Sequence, residues 1–303
     1  MDFGKLNDIL GVNFDFPPEN PFTQNILTQN NAPKRCFVGP PIWANKEWVG
    51  KIYPHNTKEK DFLYHYARQF NTIELNVTHY QIPSLSTIDR WREAVAGTDF
   101  KFCPKWPQVI SHDRQLVRSE ALVEEFTNNI SQLNEYLGVT FLQLGPYFGP
   151  NKLFILERFL KQLPSKFPVS VEFRHEDWFN NKATWQKTVE ILSTLNVGTV
   201  ITDVAGRRDV LHQTLTTPML TLRFIASLTE LHKSDYQRVD DWVQQIKKWF
   251  DEGLETAYIF AHCHENNNAP ELSKYWIEAL NEHCGFDLKI PKIQPKIVQG
   301  SLF

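Results

Sequence analysis

Eight short apolar runs, each followed by a segment with helical character, constrain the fold of this chain more than any other feature of its sequence. Most of the runs are continuously apolar and do not alternate with polar residues. That pattern is typical of strands buried on both faces of a parallel sheet. The runs are CFVG, TIELN, FKFCPK, VTFLQL, VSVEFR, GTVITD, MLTLRF and AYIFAH, which begin at Cys36, Thr72, Phe100, Val139, Val169, Gly198, Met219 and Ala257.

The spacing of these runs favours a closed barrel. From Cys36 to Ala257 each unit is about 32 residues long, a normal length for a strand–helix unit. Eight such units close into a (β/α)8 TIM barrel. A doubly wound open sheet is the alternative, but no G-x-G-x-x-G follows the first run. We therefore predict an α/β fold with a TIM-barrel domain over residues 35–287, an irregular N-terminal arm over 1–34 and an extended C-terminal tail over 288–303.

Capping residues predict where some of the helices begin and end. Thr57 and Ser84 precede helical patterns and are suitable N-caps. Gly138 follows the pattern that begins with SEALVEEF and is a suitable C-cap. These three residues test the helix boundaries directly.

Composition excludes several classes of protein. The net charge of −3 provides no global basic field that would attract nucleic acid, so an anion site must be a local patch. The four cysteines form no C-x-x-C pair, which favours reduced thiols and a cytoplasmic protein. The N-terminus lacks the basic and apolar segments of a secretory signal. No apolar stretch approaches the length of about 18 residues that a membrane span needs.

Charged side chains are concentrated at the carboxyl ends of the predicted strands, where barrels of this type place their catalytic groups. Glu172 and Arg174 share one face of their strand because alternate residues point to the same side, and Glu74 and Asn76 are spaced in the same way. Buried groups of this kind pair with each other or meet a ligand. The other polar or aromatic residues at or just after strand ends are Trp43, His79, Tyr80, Lys105, Gln143, His175, Trp178, Asp203, Arg223, His262, His264 and Asn266.

Three stretches of the sequence resemble a known family. They are VEFRHEDWF, FVGPPIWANKEWVGKIYP, and the segment from Tyr66 to His112 that contains IELNVTHY and FKFCPKWP. Together they are similar to the YecE-like TIM-barrel family, domain of unknown function seventy-two, over roughly residues 36–285. The resemblance implies a TIM barrel and no settled activity, although some members have been compared in fold with metal-dependent endonucleases. The family motifs match Trp43, Glu74, Asn76, Tyr80, Lys105, Glu172, Arg174, His175 and Trp178.

Two loops depart from the family pattern. After the first strand this chain has Pro40, Pro41 and Ile42, where the family usually has a small residue and glycine. After the eighth strand His262, Cys263 and His264 precede the asparagines. The backbone contacts of both loops are therefore open at this stage.

The strand-end residues support two main kinds of chemistry. Arg174, Arg223 and Lys105 are suited to binding phosphate or carboxylate. Glu172 and Glu74 are suited to general acid and base roles, and His175 either shares that role or holds its loop. The structural alternative is a closed salt-bridge layer, pairing Glu172 with Arg223 or Glu74 with Arg174. We expect the remaining substrate contacts from Asn76, Tyr80, Trp43, Trp178, Gln143 and Asp203.

Metal chemistry is less favoured by the sequence. His262 and His264 are weak candidate ligands, because H-x-H is a weak signal and arginine and lysine are abundant at the same strand ends. We predict no cofactor, with a divalent metal as the less favoured alternative.

The C-terminus ends in QGSLF, which resembles the Q-x-x-L-F peptide by which bacterial replication and repair proteins bind the sliding clamp. Gln299 would hydrogen-bond while Leu302 and Phe303 enter an apolar pocket. The alternative is that Leu302 and Phe303 pack back onto the barrel.

The leading hypothesis is an enzyme acting on a phosphate-bearing substrate, including DNA or a nucleotide in a clamp-linked repair setting. One alternative is a metabolic lyase, isomerase or hydrolase acting on a small carboxylate or sugar phosphate, which would need a narrow pocket. The other is a binding module for anions or nucleic acid without catalysis.

Overall fold

The computed structural model describes residues 3–28 and 32–294, which form an α/β fold with parallel strands. All eight apolar runs form strands, so this part of the prediction is confirmed. The strands are β1 Arg35–Gly39, β2 Thr72–Leu75, β3 Lys101–Pro104, β4 Thr140–Gln143, β5 Val169–Glu172, β6 Gly198–Asp203, β7 Met219–Ile225 and β8 Thr256–His262.

The helices lie between these strands, except that α1 precedes β1 and α10 follows β8. The α-helices in the described ranges are α1 Pro21–Ile26, α2 Phe62–Tyr66, α3 Val77–Tyr80, α4 Leu85–Val95, α5 Glu120–Ser131, α6 Leu153–Lys161, α7 Asp177–Asn180, α8 Lys182–Thr194, α9 Lys233–Glu252 and α10 Ala269–Cys284. None of them is both long and apolar enough to cross a membrane.

Of the three predicted capping residues, one is confirmed. Ser84 accepts a hydrogen bond from the Thr87 N–H at the start of α4. Thr57 instead bonds the Pro54 carbonyl in a turn ahead of α2. Gly138 does not cap α5; its N–H donates to the Phe102 carbonyl at 2.7 Å just before β4. An added Cβ at Gly138 would come within 2.7 Å of Cys103 Sγ, so the glycine is required by strand packing.

The strands form two parallel sheets. Six strands follow the order β1-β8-β7-β6-β5-β4, and β2 pairs with β3. The hydrogen-bonded sheet is therefore not closed, in contrast to the predicted TIM barrel.

A side chain takes the place of the strand ladder between β1 and β2. The Val38 N–H donates to Asn71 Oδ1 at 2.8 Å, and Asn71 Nδ2 donates to the Cys36 carbonyl at 3.0 Å. Directly after β1, Pro40 and Pro41 have no N–H to offer a neighbouring strand. The ladder is interrupted here because the asparagine amide satisfies the edge of β1.

The strands nevertheless enclose a common interior. The rings of Phe141 on β4 and Phe260 on β8 lie 6.3 Å apart, although three strands separate β4 from β8 in the sheet. Glu74 on β2 bonds Arg223 on β7. The six-stranded sheet is thus strongly curved, and the carboxyl ends of β2, β5, β7 and β8 converge.

The N-terminal arm packs on the body and is not wholly irregular. It contains α1, and the Phe16 ring lies 4.5 Å from that of Trp242 on α9. Trp249 Nε1 donates to the Glu19 carboxylate at 2.9 Å. At the other end of the chain, the Gln294 N–H donates to the Lys51 carbonyl at 2.8 Å.

Candidate functional site

Five charged side chains converge at the carboxyl ends of four strands, and we call them the inner cluster. They reach it because alternate strand residues point inward, so Glu172 and Arg174 arrive from the same face of β5. All five are buried, with at most 7% of the residue surface exposed. The inner cluster consists of Glu74, Lys105, Glu172, Arg174 and Arg223.

Arg223 joins the two carboxylates. Its Nε and Nη2 donate to Glu74 at 2.8 and 3.1 Å, a bidentate pair. Its Nη1 donates to Glu172 Oε1 at 3.0 Å and Oε2 at 3.2 Å. Planar guanidinium geometry suits such two-sided pairing. One of the two pairings expected for a salt-bridge layer, Glu172 with Arg223, is therefore present.

Glu172 is held by four neighbours. Besides Arg223, it accepts hydrogen bonds from Arg174 Nε at 3.0 Å, Gln143 Nε2 at 2.6 Å and Thr202 Oγ1 at 3.0 Å. Burial alone would raise the pKa of Glu172, but the two arginines and Gln143 lower it to about 2. This carboxylate is ionised at neutral pH.

Glu74 is held in a similar way. It accepts from Arg223, from His262 Nε2 at 2.8 Å and from Asn76 Nδ2 at 3.0 Å. Burial opposes ionisation, yet Arg223 and His262 place the pKa of Glu74 well below its ordinary value. Neither carboxylate is therefore suited to carry a proton at neutral pH.

Lys105 differs from the other members of the inner cluster. Within residues 3–28 and 32–294, its Nζ has neither a hydrogen bond nor an ion pair. Burial and the charge of Arg223 lower the pKa of Lys105 to about 7, despite the opposing effect of Glu74 and Glu172. Near neutral pH the amine exists in both protonation states.

Two histidines lie beside Lys105: His79, which the sequence placed at a strand end without assigning it a role, and His112, which it did not place in the site. Burial and the charge of Lys105 lower the pKa of His79 to about 4 and also lower that of His112. Their ring centroids lie 5.2 Å apart. The sequence signal was their position after β2 and β3. Thr202 was also missed, although strand alternation places it on the face opposite Asp203.

Asp203 lies outside the inner cluster. It points away from the common interior, toward α9, where Trp242 Nε1 donates to its carboxylate at 2.7 Å. Arg238 Nη2 donates to Asp203 Oδ1 at 2.6 Å, and Arg208 pairs with the same oxygen. These contacts occupy Asp203 away from the predicted substrate.

The predicted aromatic contacts are also dispersed. Trp178 is fully buried, and its Nε1 donates to the Phe148 carbonyl at 2.8 Å. The Trp43 ring packs edge-on against Trp91 at 5.9 Å. Tyr80 is 75% exposed. Asn76 and Gln143 are thus the predicted binding residues, besides the three cations, that contact the inner cluster.

His175 lies at a surface depression outside the inner cluster. Its Nδ1 accepts from the Asp177 N–H at 3.2 Å. It lines a depression of about 580 Å³ together with Tyr147 and Asn181. A loop-holding role, the second of the two expectations for His175, agrees with this hydrogen bond.

The two candidate metal ligands, His262 and His264, contact different groups. His262 bonds Glu74, whereas His264 Nε2 lies 3.4 Å from the Ser227 carbonyl oxygen. The described ranges contain no group of three or more His, Cys, Asp or Glu side chains arranged to hold a metal.

The start of the N-terminal arm reaches the inner cluster. The Phe3 ring covers the Arg174 guanidinium at 4.1 Å and that of Arg207 at 4.8 Å, both within cation–π range.

The C-terminal pentapeptide, with Gln299, Leu302 and Phe303, lies outside the described residues.

Comparison with known proteins identifies relatives of this chain. The model for the family "Protein of unknown function DUF72" matches residues 37–295. UPF0759 protein YecE of Escherichia coli K12 is 33% identical over 285 residues, covering 88% of this chain and 99% of that protein. UPF0759 protein YunF of Bacillus subtilis is 25% identical over 48% of this chain and 52% of its own.

A solved structure of a DUF72 family protein from Enterococcus faecalis shares the fold. It superposes with a TM-score of 0.66 at 17% identity, covering 86% of this chain and 99% of that one. The sequence resemblance to the YecE-like family is therefore confirmed.

Proposed function

Because the chain belongs to the DUF72 family of proteins of unknown function, we propose its function from the inner cluster: it is an enzyme that acts on a small anionic substrate bearing a phosphate or carboxylate group. The observation that carries this proposal is the buried Lys105 amine, which has neither a hydrogen bond nor an ion pair within residues 3–28 and 32–294 and lies beside a carboxylate–arginine network whose members already bond one another.

Charge balance supports an anion. The inner cluster contains three cationic side chains; Arg223 and Arg174 form ion pairs with its two carboxylates, whereas Lys105 has no ion pair among the described residues. An unpaired buried charge costs several kcal/mol. A bound phosphate or carboxylate would supply the missing counter-charge, and its presence would raise the pKa of Lys105.

The burial of the cationic side chains in the inner cluster favours a small molecule over duplex DNA as the ligand. Asn76 and His262, which both bond Glu74, are partly exposed, with 14% of the His262 side chain exposed, and His112 is partly exposed as well. The cationic groups themselves are buried. A nucleic-acid surface would present its arginines and lysines to the phosphate backbone in the open.

In this proposal Lys105 is the group that accepts or donates the proton. The pKa of about 7 lets the amine accept or donate a proton at neutral pH, since a group titrating near the working pH is the most effective acid or base. Glu74 and Glu172 hold Arg223 and Arg174 in place. This assignment replaces the general acid and base roles that the sequence suggested for the two glutamates.

We also propose that the two sheets act as one TIM barrel. Lys105 pairs with Phe141 in an isolated parallel bridge, and the Trp106 N–H donates to the Phe141 carbonyl at 3.1 Å, which joins the end of β3 to β4. Asn71 joins β1 to the start of β2. The site would then lie at the face where barrel enzymes carry their chemistry.

Calorimetric titration tests the proposed function. Inorganic phosphate, succinate and a short duplex DNA are titrated at low salt into the wild type, Lys105→Met and Lys101→Met. We expect phosphate or succinate to bind the wild type, and to bind Lys105→Met about tenfold more weakly or worse, the loss typical of a charge-assisted contact. Lys101, at the other end of β3, is the matched control and should leave binding unchanged.

Two results would contradict this proposal. One is the absence of phosphate and succinate binding at low salt. The other is binding of duplex DNA alone, which would favour the nucleic-acid hypothesis.

Docking of Gln299, Leu302 and Phe303 on a sliding clamp remains a separate proposal, tested by a pull-down with and without QGSLF.

A further inference from the structure

We propose that Lys105 is a nucleophile that forms an imine with the carbonyl carbon of the substrate, so the substrate class is a small anionic aldehyde or ketone such as a 2-oxo acid. This inference rests on the proposed function, because it places the chemistry at the same site. It adds a covalent step that anion binding alone does not require.

The position of Lys105 suits a nucleophilic amine. Its side chain is almost wholly buried, with 1% of the residue exposed, and across the described residues no acceptor holds its Nζ. The groups acting on it are the cations Arg223 and Arg174 and the carboxylates Glu74 and Glu172, whose hydrogen bonds go to other residues. Desolvation beside other cations is the arrangement that frees a lysine lone pair for attack on a carbonyl.

The two histidines beside Lys105 can assist the loss of water. His79 Nδ1 lies 2.8 Å from the Trp106 carbonyl oxygen and donates a hydrogen bond to it. In the neutral ring Nε2 therefore carries the lone pair. Since the pKa of His79 is lowered to about 4, this ring is neutral at pH 7. His112, 5.2 Å away between ring centroids, is the second imidazole.

The step balances without a cofactor. The neutral Lys105 amine adds to the carbonyl carbon, the C=O π electrons move to oxygen, and a proton moves from nitrogen to oxygen to give a carbinolamine. The C–O bond then breaks, and oxygen leaves as water with the second amine proton. The products are one C=N bond and one water molecule, and no oxidant or reductant is consumed.

The anionic group of the substrate determines its orientation. Arg223 and Arg174 act on the charge of Lys105, and the carboxylates Glu74 and Glu172 oppose them. A carboxylate or phosphate would be drawn to the cationic arginines, leaving an adjacent carbonyl for the amine. The imine nitrogen can then take a proton from solvent, and Glu74 and Glu172 would stabilise the resulting positive charge.

Reductive trapping tests this inference on the full-length protein. Wild-type protein is incubated with pyruvate and sodium cyanoborohydride from pH 6 to pH 9, and the modified lysine is located by peptide mass spectrometry. We expect Lys105 to be labelled at least about tenfold faster than any other lysine at pH 7, because about half of its amines are neutral there against roughly one in 2,500 for an ordinary lysine. The labelling rate should level off above pH 7 to 8.

Variants and a second probe separate the two proposals. Lys105→Arg keeps the charge and cannot form the imine, so labelling at position 105 is lost; Lys101→Arg is the matched control and keeps it. If phosphate binds the wild type but neither pyruvate nor propanal labels Lys105 preferentially, the imine is overturned and the anion site survives. If propanal labels Lys105 preferentially while phosphate and succinate fail to bind, the imine stands and the anion site is overturned.

Discussion

Two buried ionic clusters lie on opposite faces of the strands, and they differ in charge balance. The outer cluster consists of Asp203, Arg208, Asp235 and Arg238. Arg238 bonds Asp203 at 2.6 Å and Asp235 at 3.3 Å, and Arg208 pairs with Asp203. Two cations match two carboxylates here. The inner cluster has the same kind of arginine–carboxylate pairing plus the unpaired Lys105.

The balanced cluster joins structural elements. Asp203 ends β6, while Asp235 and Arg238 lie on α9, so the outer cluster fixes that helix against the sheet. Each charge there has an opposite partner, and a ligand would add nothing. In the inner cluster Lys105 has no ion pair within the part of the chain that the structure describes. A buried charge without an ion pair destabilises a fold and is explained by a ligand or a reaction.

The largest expected effect is on the outer cluster. Arg238→Met should lower the free energy of unfolding by about 3–5 kcal/mol, because it removes the cation paired with the buried Asp235 and one of the two cations paired with the buried Asp203. Urea unfolding at pH 7 measures it. The double variant Arg238→Met with Asp203→Asn should recover part of the loss, and a single-variant loss below about 1 kcal/mol would contradict the pairing.

Lys105→Met should change the free energy of unfolding in the opposite direction from Arg238→Met. Removing an unpaired buried ammonium should leave the free energy of unfolding unchanged or raise it by about 1–2 kcal/mol, since a residue kept for function is often destabilising. Urea unfolding at pH 6 measures the change, and Lys101→Met is its control. A clear loss of stability would show that Lys105 has a structural partner.

The pH dependence of stability tests Lys105 independently. Burial lowers its pKa in the folded state to about 7, below that in the unfolded chain. Below pH 7 both states hold the proton and the cost of burial is complete. Above pH 7 the unfolded state binds the extra proton, so the free energy of unfolding rises with pH, by on the order of 1 kcal/mol per unit up to about pH 10. The difference between wild type and Lys105→Met at pH 7 and pH 9 isolates this contribution.

The smallest expected effect concerns the aromatic rings that cover each cluster. Phe3 covers Arg174, and Phe14 covers Arg238 at 5.1 Å. Either change to Ala should cost about 0.5–1 kcal/mol in urea unfolding, the value of an exposed or half-buried cation–π contact. Phe3→Ala should also speed phosphate association in stopped-flow measurements by opening the inner cluster, whereas Phe14→Ala should not.

Short-range rules account for the correct sequence predictions. Alternation in β5 placed Glu172 and Arg174 together, and the Ser84 cap depends on residues within one turn. Applying the same alternation to β6 separates Thr202, which bonds Glu172, from Asp203, which faces α9. Gly138 was assigned to a helix end because the contact that requires it, with Cys103, is distant in sequence.

The sequence by itself determined the eight strands and the polar residues at their carboxyl ends, because both follow from the twofold repeat of a strand and from local apolar runs. Only the tertiary structure decided which charges are neutralised. Arg223 meets Glu74 across 149 positions of the chain, whereas Lys105 has no ion pair among the described residues and lies over the Phe141 ring, 5.9 Å from its centroid. Pairing depends on the curvature that brings distant strand ends together, and no local pattern encodes that curvature.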